Sequence, residues 1–243
     1  MCAVIERYPA PRLFDWRISQ CAVIFDERRL HDATATALGV ELPAKLLGAV
    51  RKRRAEFIAG RVCAARATRG ILPEHTGTVG ASPAGTPIWA SGTVGSITHT
   101  GGFASAAVGR RRHARSVGID SEAILHDAAA DAVFRQVAST EEARLRVPGL
   151  SDAVYATLLF SAKESFFKCL YPLVQRMFYF EHARIVGVDP SQRTFRIELL
   201  IDLSREFCAR FGLEGAYDID RAYVHTGLLI ESKPCRFASP GGP

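Results

Sequence analysis

The sequence has no Cys-x-x-Cys element and no paired Cys/His spacing. Its 6 cysteines stand apart at 2, 21, 63, 169, 208 and 235, which excludes a zinc finger or ribbon and offers no disulfide framework. It has no long apolar run; stretches such as CAVIF (21–25) are far too short to span a bilayer. The N-terminus, MCAVIERYPAPRLFDW, has no basic start followed by an apolar core, so no signal peptide is expected. These absences together predict a cytoplasmic protein without stable membrane insertion. Its thiols would stay reduced, with Cys63 and Cys169 buried as free thiols.

What is present is ordinary globular composition. Of 243 residues, 48% are hydrophobic and 23% charged, enough apolar surface to exclude a disordered chain. The length permits one large domain or two smaller ones. Lys and Arg outnumber Asp and Glu by 31 to 25, giving +6 and a pI near 9.2. An anionic partner is therefore expected, without a choice among nucleotide, nucleic acid, acidic protein or lipid surface.

CAVIF reads as a strand. Residues 43–69 read as a helix carrying RKRR (51–54), because Phe57, Ile58, Val62 and Ala65 recur near helical spacing. The Gly/Pro/Ser/Thr-rich stretch 70–95 reads as loop. GSITHTGGFASAAVG (95–109) predicts strand, glycine turn and strand. RRRHAR (110–115) is a charged turn, and SVGIDSEAI (116–124) a further strand. Helices are predicted near 128–137, 141–145 and 158–170, and late strands at 194–203 and 222–230. FIAGRVCAAR (57–66) and FSAKESFFKC (160–169) share Phe-x-Ala at one helical phase, a faint internal repeat that sets Arg61 where Glu164 sits.

Three motifs carry chemistry. In VGIDSE, a strand would place Asp120 and Glu122 on one face, where two carboxylates repel unless a cation or proton lies between them. A hard cation such as Mg²⁺ takes such oxygen ligands; two solvated surface acids are the plainer alternative. In FSAKESFFK, Glu164 and Lys168 share a helix face, either as an ordinary i,i+4 ion pair or as a third metal ligand and a phosphate counter-charge. In GSITHT, Thr98 and His99 offer donors beside a glycine turn that could hold a phosphate. RKRR with Arg61 offers guanidinium forks for another anion. Acids and phosphate-type cations together describe metal-assisted phosphoryl chemistry, and a Mg²⁺-dependent nuclease or a non-enzymatic nucleotide-binding module remains open.

RKRRAEFIAGR, the Pro-x-Trp of GTPIWA, GSITHT, VGIDSEAI, STEEARL and FSAKESFFK occur in this order between about residues 51 and 170. In that order they resemble the 4′-phosphopantetheinyl transferases, surfactin-type class, in the branch of enterobactin synthase component D. The resemblance implies an α+β fold, a pseudo-twofold pair of similar α+β halves (1–115 and 116–243) with the active site in the cleft between them. It implies coenzyme A as substrate, Mg²⁺ as cofactor and an apo carrier protein of siderophore, peptide or polyketide synthesis as partner, with no nucleic acid.

Carried over by residue, it implies Asp120, Glu122 and Glu164 as metal ligands, with Ser121 assisting through its backbone or a water. Arg53, Arg61, Thr98 and His99 would bind the 3′-phosphate end of coenzyme A. Lys163 and Lys168 would face the pyrophosphate, and Glu164 would deprotonate the carrier serine. The chain departs from the family at ASPAGTP (81–87), where a basic residue is usual, and at Trp89-Ala90, where Trp-Pro is usual. Contacts from that loop are then expected from backbone or Thr86. YPLVQRMFYF (171–180) is expected to present Met177 and Phe178 as an apolar ledge for the carrier.

Overall fold

A computed structural model describes residues 4–83, 85–145 and 147–232; Cys2, Cys235 and Ala84 of the 81–87 loop lie outside them. Up to residue 110 the chain forms β1 (Ile5–Tyr8), β2 (Ile18–Phe25), α1 (Asp32–Ala37), α2 (Ala44–Leu47), α3 (Arg51–Ile71), β3 (Gly80–Ala81), β4 (Pro87–Ile88), β5 (Thr93–Thr100) and β6 (Phe103–Arg110). Next come β7 (Ala114–Ala123), α4 (Asp127–Val137), α5 (Thr140–Arg144), α6 (Asp152–Val174) and a 3₁₀ turn (Phe180–His182). The chain then ends in β8 (Ala183–Asp189), β9 (Thr194–Leu199), β10 (Gly212–Ile219) and β11 (Tyr223–Glu231).

The result is a pseudo-twofold α+β fold: two large antiparallel sheets, each with one long helix packed against it, and a two-stranded β3–β4 ribbon. One sheet runs β1-β2-β6-β5 and carries α3; the other runs β7-β11-β10-β9-β8 and carries α6. β6 is buried along almost its whole length because both of its faces are covered. Ala104, Ala106 and Val108 join the core under α3, while Ala107 joins a smaller cluster with Leu13, Val94, Val117 and Ile119. That second cluster links the two sheets, since Val94 comes from β5 and Val117 and Ile119 from β7. The largest core lies beneath α6, around Leu158, Phe166, Phe195 and Leu228.

Two local features set the site. Gly101 and Gly102, both at positive φ, close the β5–β6 turn. Gly118 lets β7 cross against α6: a Cβ there would stand 2.0 Å from the Ser165 carbonyl oxygen, so no side chain fits. That contact lies two residues from Asp120 and one turn from Lys168.

The sequence-predicted helix 43–69 divides into α2 and α3 around the Gly48–Val50 segment. α6 is longer than its predicted core: Ser151 caps it by accepting from the Val154 amide (3.3 Å), and it ends on Gln175 at positive φ. β1, β8 and β10 were not anticipated. No helix among the described residues is long and apolar enough to cross a membrane.

Candidate active site

Strand alternation puts Ser96, Thr98 and Thr100 on one side of β5 and His99 on the other. The three hydroxyls reach β7, which belongs to the other sheet. Ser96 Oγ accepts from the Ile119 amide (3.1 Å) and Thr98 Oγ1 from the Ser121 amide (3.2 Å). Thr98 Oγ1 donates to Asp120 Oδ1 (3.0 Å), and Thr100 Oγ1 donates to Glu122 Oε2 (3.1 Å). Side-chain hydroxyls thus satisfy strand amides that a backbone ladder would otherwise take. The two catalytic-type acids are held by the same seam.

Asp120 is 2% exposed. Its Oδ1 also accepts from Lys168 Nζ at 2.6 Å, whereas Oδ2 is buried with no hydrogen-bond partner. A buried carboxylate oxygen left unpaired is costly, and a bound cation would satisfy Oδ2. Burial, and then the Asp120 charge, push the Glu122 carboxyl up to about 7. Burial raises Glu164 too, with Lys168 opposing and Asp120 adding. Glu122 and Glu164, both raised by burial beside Asp120, are oxygen donors of the kind a hard divalent cation takes. Among the described residues no group of three or more acids, histidines or cysteines is placed to hold a metal ion; the Lys168 ammonium supplies the positive charge at Asp120.

On the far side of β5, Arg53, Glu56, Arg61 and His99 line a hollow of about 150 Å³. Arg53 Nη1 donates to His99 Nε2 (2.9 Å), so Nε2 accepts and the proton sits on Nδ1, 3.5 Å from Glu56 Oε2. Burial, with help from Arg53 and Lys168, lowers His99 to about 4, and it is neutral near pH 7. Arg61 is 4% exposed, its guanidinium lies 4.6 Å over the Phe57 ring, and its Nε lacks a partner. Burial lowers it to about 10, leaving it charged. A buried, under-satisfied arginine beside Arg53 is a place for an anion.

A cleft of about 860 Å³ runs between segment 86–97 and α6, lined by Thr86, Trp89, Ile97, Phe167, Lys168 and Tyr171. Thr86 lies at its rim, hydrogen-bonded with Ser82 Oγ (2.8 Å).

Three expectations need correction. Lys163 does not face a pyrophosphate: its ammonium is buried, donating to Val137 O (2.7 Å), Glu142 Oε2 (2.8 Å) and Phe180 O (3.2 Å). Thr98 is 2% exposed and committed to Asp120 and Ser121, so it joins the acid site, not the anion hollow. The Ser121 side chain bonds His225 Nδ1 (2.9 Å) on the opposite face of β7, which leaves the expected backbone or water-mediated contribution untouched. Phe178 is 4% exposed and packs on Phe166 and Phe167, while Met177 and Tyr179 are the exposed large apolar side chains of that segment. Sequence reasoning missed Glu56, although its i,i+3 spacing from Arg53 was visible, and Thr100, readable from strand alternation. It also missed Glu142, visible only as the last residue of a capping-box pattern.

Comparison with known proteins decides what this arrangement is. Residues 42–109 match the model of the 4′-phosphopantetheinyl transferase N-terminal domain, and residues 116–226 that of the 4′-phosphopantetheinyl transferase superfamily. The chain belongs to the 4′-phosphopantetheinyl transferase family. It is 40% identical over 204 residues to 4′-phosphopantetheinyl transferase Svp of Streptomyces mobaraensis, covering 82% of this chain and 81% of that one. With PptT of Mycobacterium tuberculosis it shares 35% identity over 201 residues, 80% and 86% of the two chains. Enterobactin synthase component D of Salmonella typhi matches at 34% over 125 residues, 51% of each chain. A 4′-phosphopantetheinyl transferase takes coenzyme A as donor and a carrier protein as acceptor, and the nuclease and binding-module readings fall away.

Proposed function

We propose that this transferase moves the 4′-phosphopantetheine group of coenzyme A onto a serine of an apo carrier protein in a Mg²⁺-dependent reaction, in the cytoplasm. The observation that carries the site assignment is Asp120: a buried carboxylate with one oxygen unpartnered, beside Glu122 and Lys168, at the seam of the two sheets. Asp120, Glu122 and Glu164 would hold the metal, which supplies charge neutralisation on the pyrophosphate oxygens.

The chain's own residues do the rest. Arg53 and Arg61 bind the 3′-phosphate, with neutral His99 orienting Arg53 as acceptor. Lys168, 27% exposed at its side chain, lies on the large cleft and meets the diphosphate. Glu164, whose carboxyl is raised by burial, takes the proton from the carrier serine. The serine oxygen then bonds to the β-phosphorus as the bond to adenosine 3′,5′-bisphosphate breaks. Functional division near residue 115 follows, with nucleotide binding before it and the acid cluster after it. Enterobactin synthase component D is named for a siderophore system; by analogy the acceptor is a carrier domain of siderophore, peptide or polyketide synthesis. Incubation with coenzyme A, Mg²⁺ and an apo carrier should add the mass of one phosphopantetheine arm to the carrier. No gain, with an active control transferase, would refute the reading.

A further inference from the structure

The Lys163 ammonium sits in a closed polar knot one residue from Glu164. Its three donors meet Val137 O at the end of α4, Glu142 Oε2 on α5 and Phe180 O in the 3₁₀ turn. Glu142, 0% exposed, spends its remaining acceptor capacity on the Ser139 amide (2.8 Å, at Oε2) and the Ile185 amide of β8 (2.7 Å, at Oε1). The Glu142 carbonyl accepts from Tyr155 Oη (3.0 Å), back on α6. One ion pair therefore joins α4, α5, α6, the 3₁₀ turn and β8.

A buried pair of this kind is a poor device for stability, since apolar residues of similar volume often do as well. Its directional bonds do what apolar packing cannot: they fix the rotation and axial position of α6. Adjacent helix residues differ by 100° and 1.5 Å, so any slip at Lys163 moves Glu164 by the same amount. The Phe180 bond also pins the segment after α6. Met177, Phe178, Tyr179 and Phe180, with Glu164 and Phe167, enclose a hollow of about 160 Å³. That segment's other ties include Arg176 to the Leu203 carbonyl (2.8 Å), the Tyr179 amide to His182 Nδ1 (3.0 Å), the His182 amide to the Tyr179 carbonyl (2.9 Å), and the Phe178 and Phe180 rings on the core.

We infer that the buried Glu142–Lys163 pair positions Glu164 and the 176–180 wall of its hollow, so that both are positioning residues for transfer. The inference rests on the proposed role of Glu164. The experiment compares wild type, Glu164→Gln and the double variant Glu142→Gln/Lys163→Met. The double variant removes both charges; the Gln carbonyl oxygen keeps one acceptor, for either the Ser139 or the Ile185 amide. Transfer to an apo carrier is measured well below Tm, normalised to the fraction that binds coenzyme A. Hydrogen exchange of amides 176–180 is followed in parallel.

The double variant should bind coenzyme A within about twofold of wild type, lose about tenfold or more in kcat, as small misplacements of a reacting group do, and exchange faster at 176–180. A merely structural pair would lower Tm and leave normalised kcat and exchange at 176–180 unchanged, which would overturn the inference. If the double variant does not fold, Glu142→Gln alone is used: it keeps a carbonyl acceptor within reach of Lys163 but removes the ion pair. Wild-type kcat and exchange in that variant would likewise overturn the inference. An active Glu164→Gln would instead sink the role of Glu164 itself.

Discussion

Lys163 and Lys168 lie on one helix and end in opposite circumstances. Lys163 is 2% exposed at its side chain and fully bonded within the protein, whereas Lys168 is 27% exposed and rests on Asp120 at the cleft. The family resemblance implied the same role for both; only the fold, by bringing Glu142 from 21 residues away, separates them. At the anion hollow, Arg53 is the exposed donor, and His99 serves it as acceptor. Arg53→Gln should therefore weaken coenzyme A by about 1.5–3 kcal/mol while leaving 3′-dephospho-coenzyme A nearly unchanged. Calorimetric titration with both ligands checks this, and equal losses would place the 3′-phosphate elsewhere. His99 also leaves a mark on stability. Its pKa falls from 6.5 to about 4 on folding, so between those values the unfolded chain binds the extra proton. Its contribution is whole above pH 6.5 and is lost as the pH falls towards 4. Unfolding curves across that window should be less pH-dependent in His99→Gln than in wild type.

Among the elements, the β5–β7 seam is the least ordinary. Thr98→Val keeps volume but strands the Ser121 amide and removes a donor from Asp120, at a cost of about 1–3 kcal/mol. It should also lower transfer, which Ser96→Ala, on the same seam and farther from the acids, should do less. Melting curves and steady-state rates on both variants test that gradient. The segment after α6 shows how far reading by composition goes. Its aromatic richness was visible, but not which ring turned inward; Phe178→Ala should cost about 3–5 kcal/mol and appear as a lowered Tm, with carrier KM little changed. The strand–turn–strand at 95–109 and the strand bearing Asp120 were legible because Gly-Gly punctuation and period-two alternation agree there. β10, GLEGAYDI, was not legible: its glycines and acids are weak strand formers, and pairing on both sides with β9 and β11 imposes the conformation. The Lys163 knot was illegible for a related reason, since a capping box and a helix lysine each look complete alone.

At the scale of the whole molecule, two sheet-and-helix units meet at the β5–β7 seam, with the acids of β7 held there and the Arg53–Arg61 hollow on the other side of β5. That arrangement suits a substrate with phosphates at two places, and the family membership identifies it as coenzyme A. The order of motifs along the chain was enough to read this much, because each motif keeps its chemistry within a few residues. The contacts between units depend on hydroxyls and glycines that carry no functional label in sequence. The central claim is that transfer runs through Asp120. The most direct measurement is the mass of an apo carrier protein after incubation with coenzyme A, Mg²⁺ and either wild type or Asp120→Ala. Wild type should convert the carrier fully, and Asp120→Ala, folded by its melting curve, should be slower by on the order of 100-fold or more. Conversion at a rate near wild type by Asp120→Ala would contradict the account.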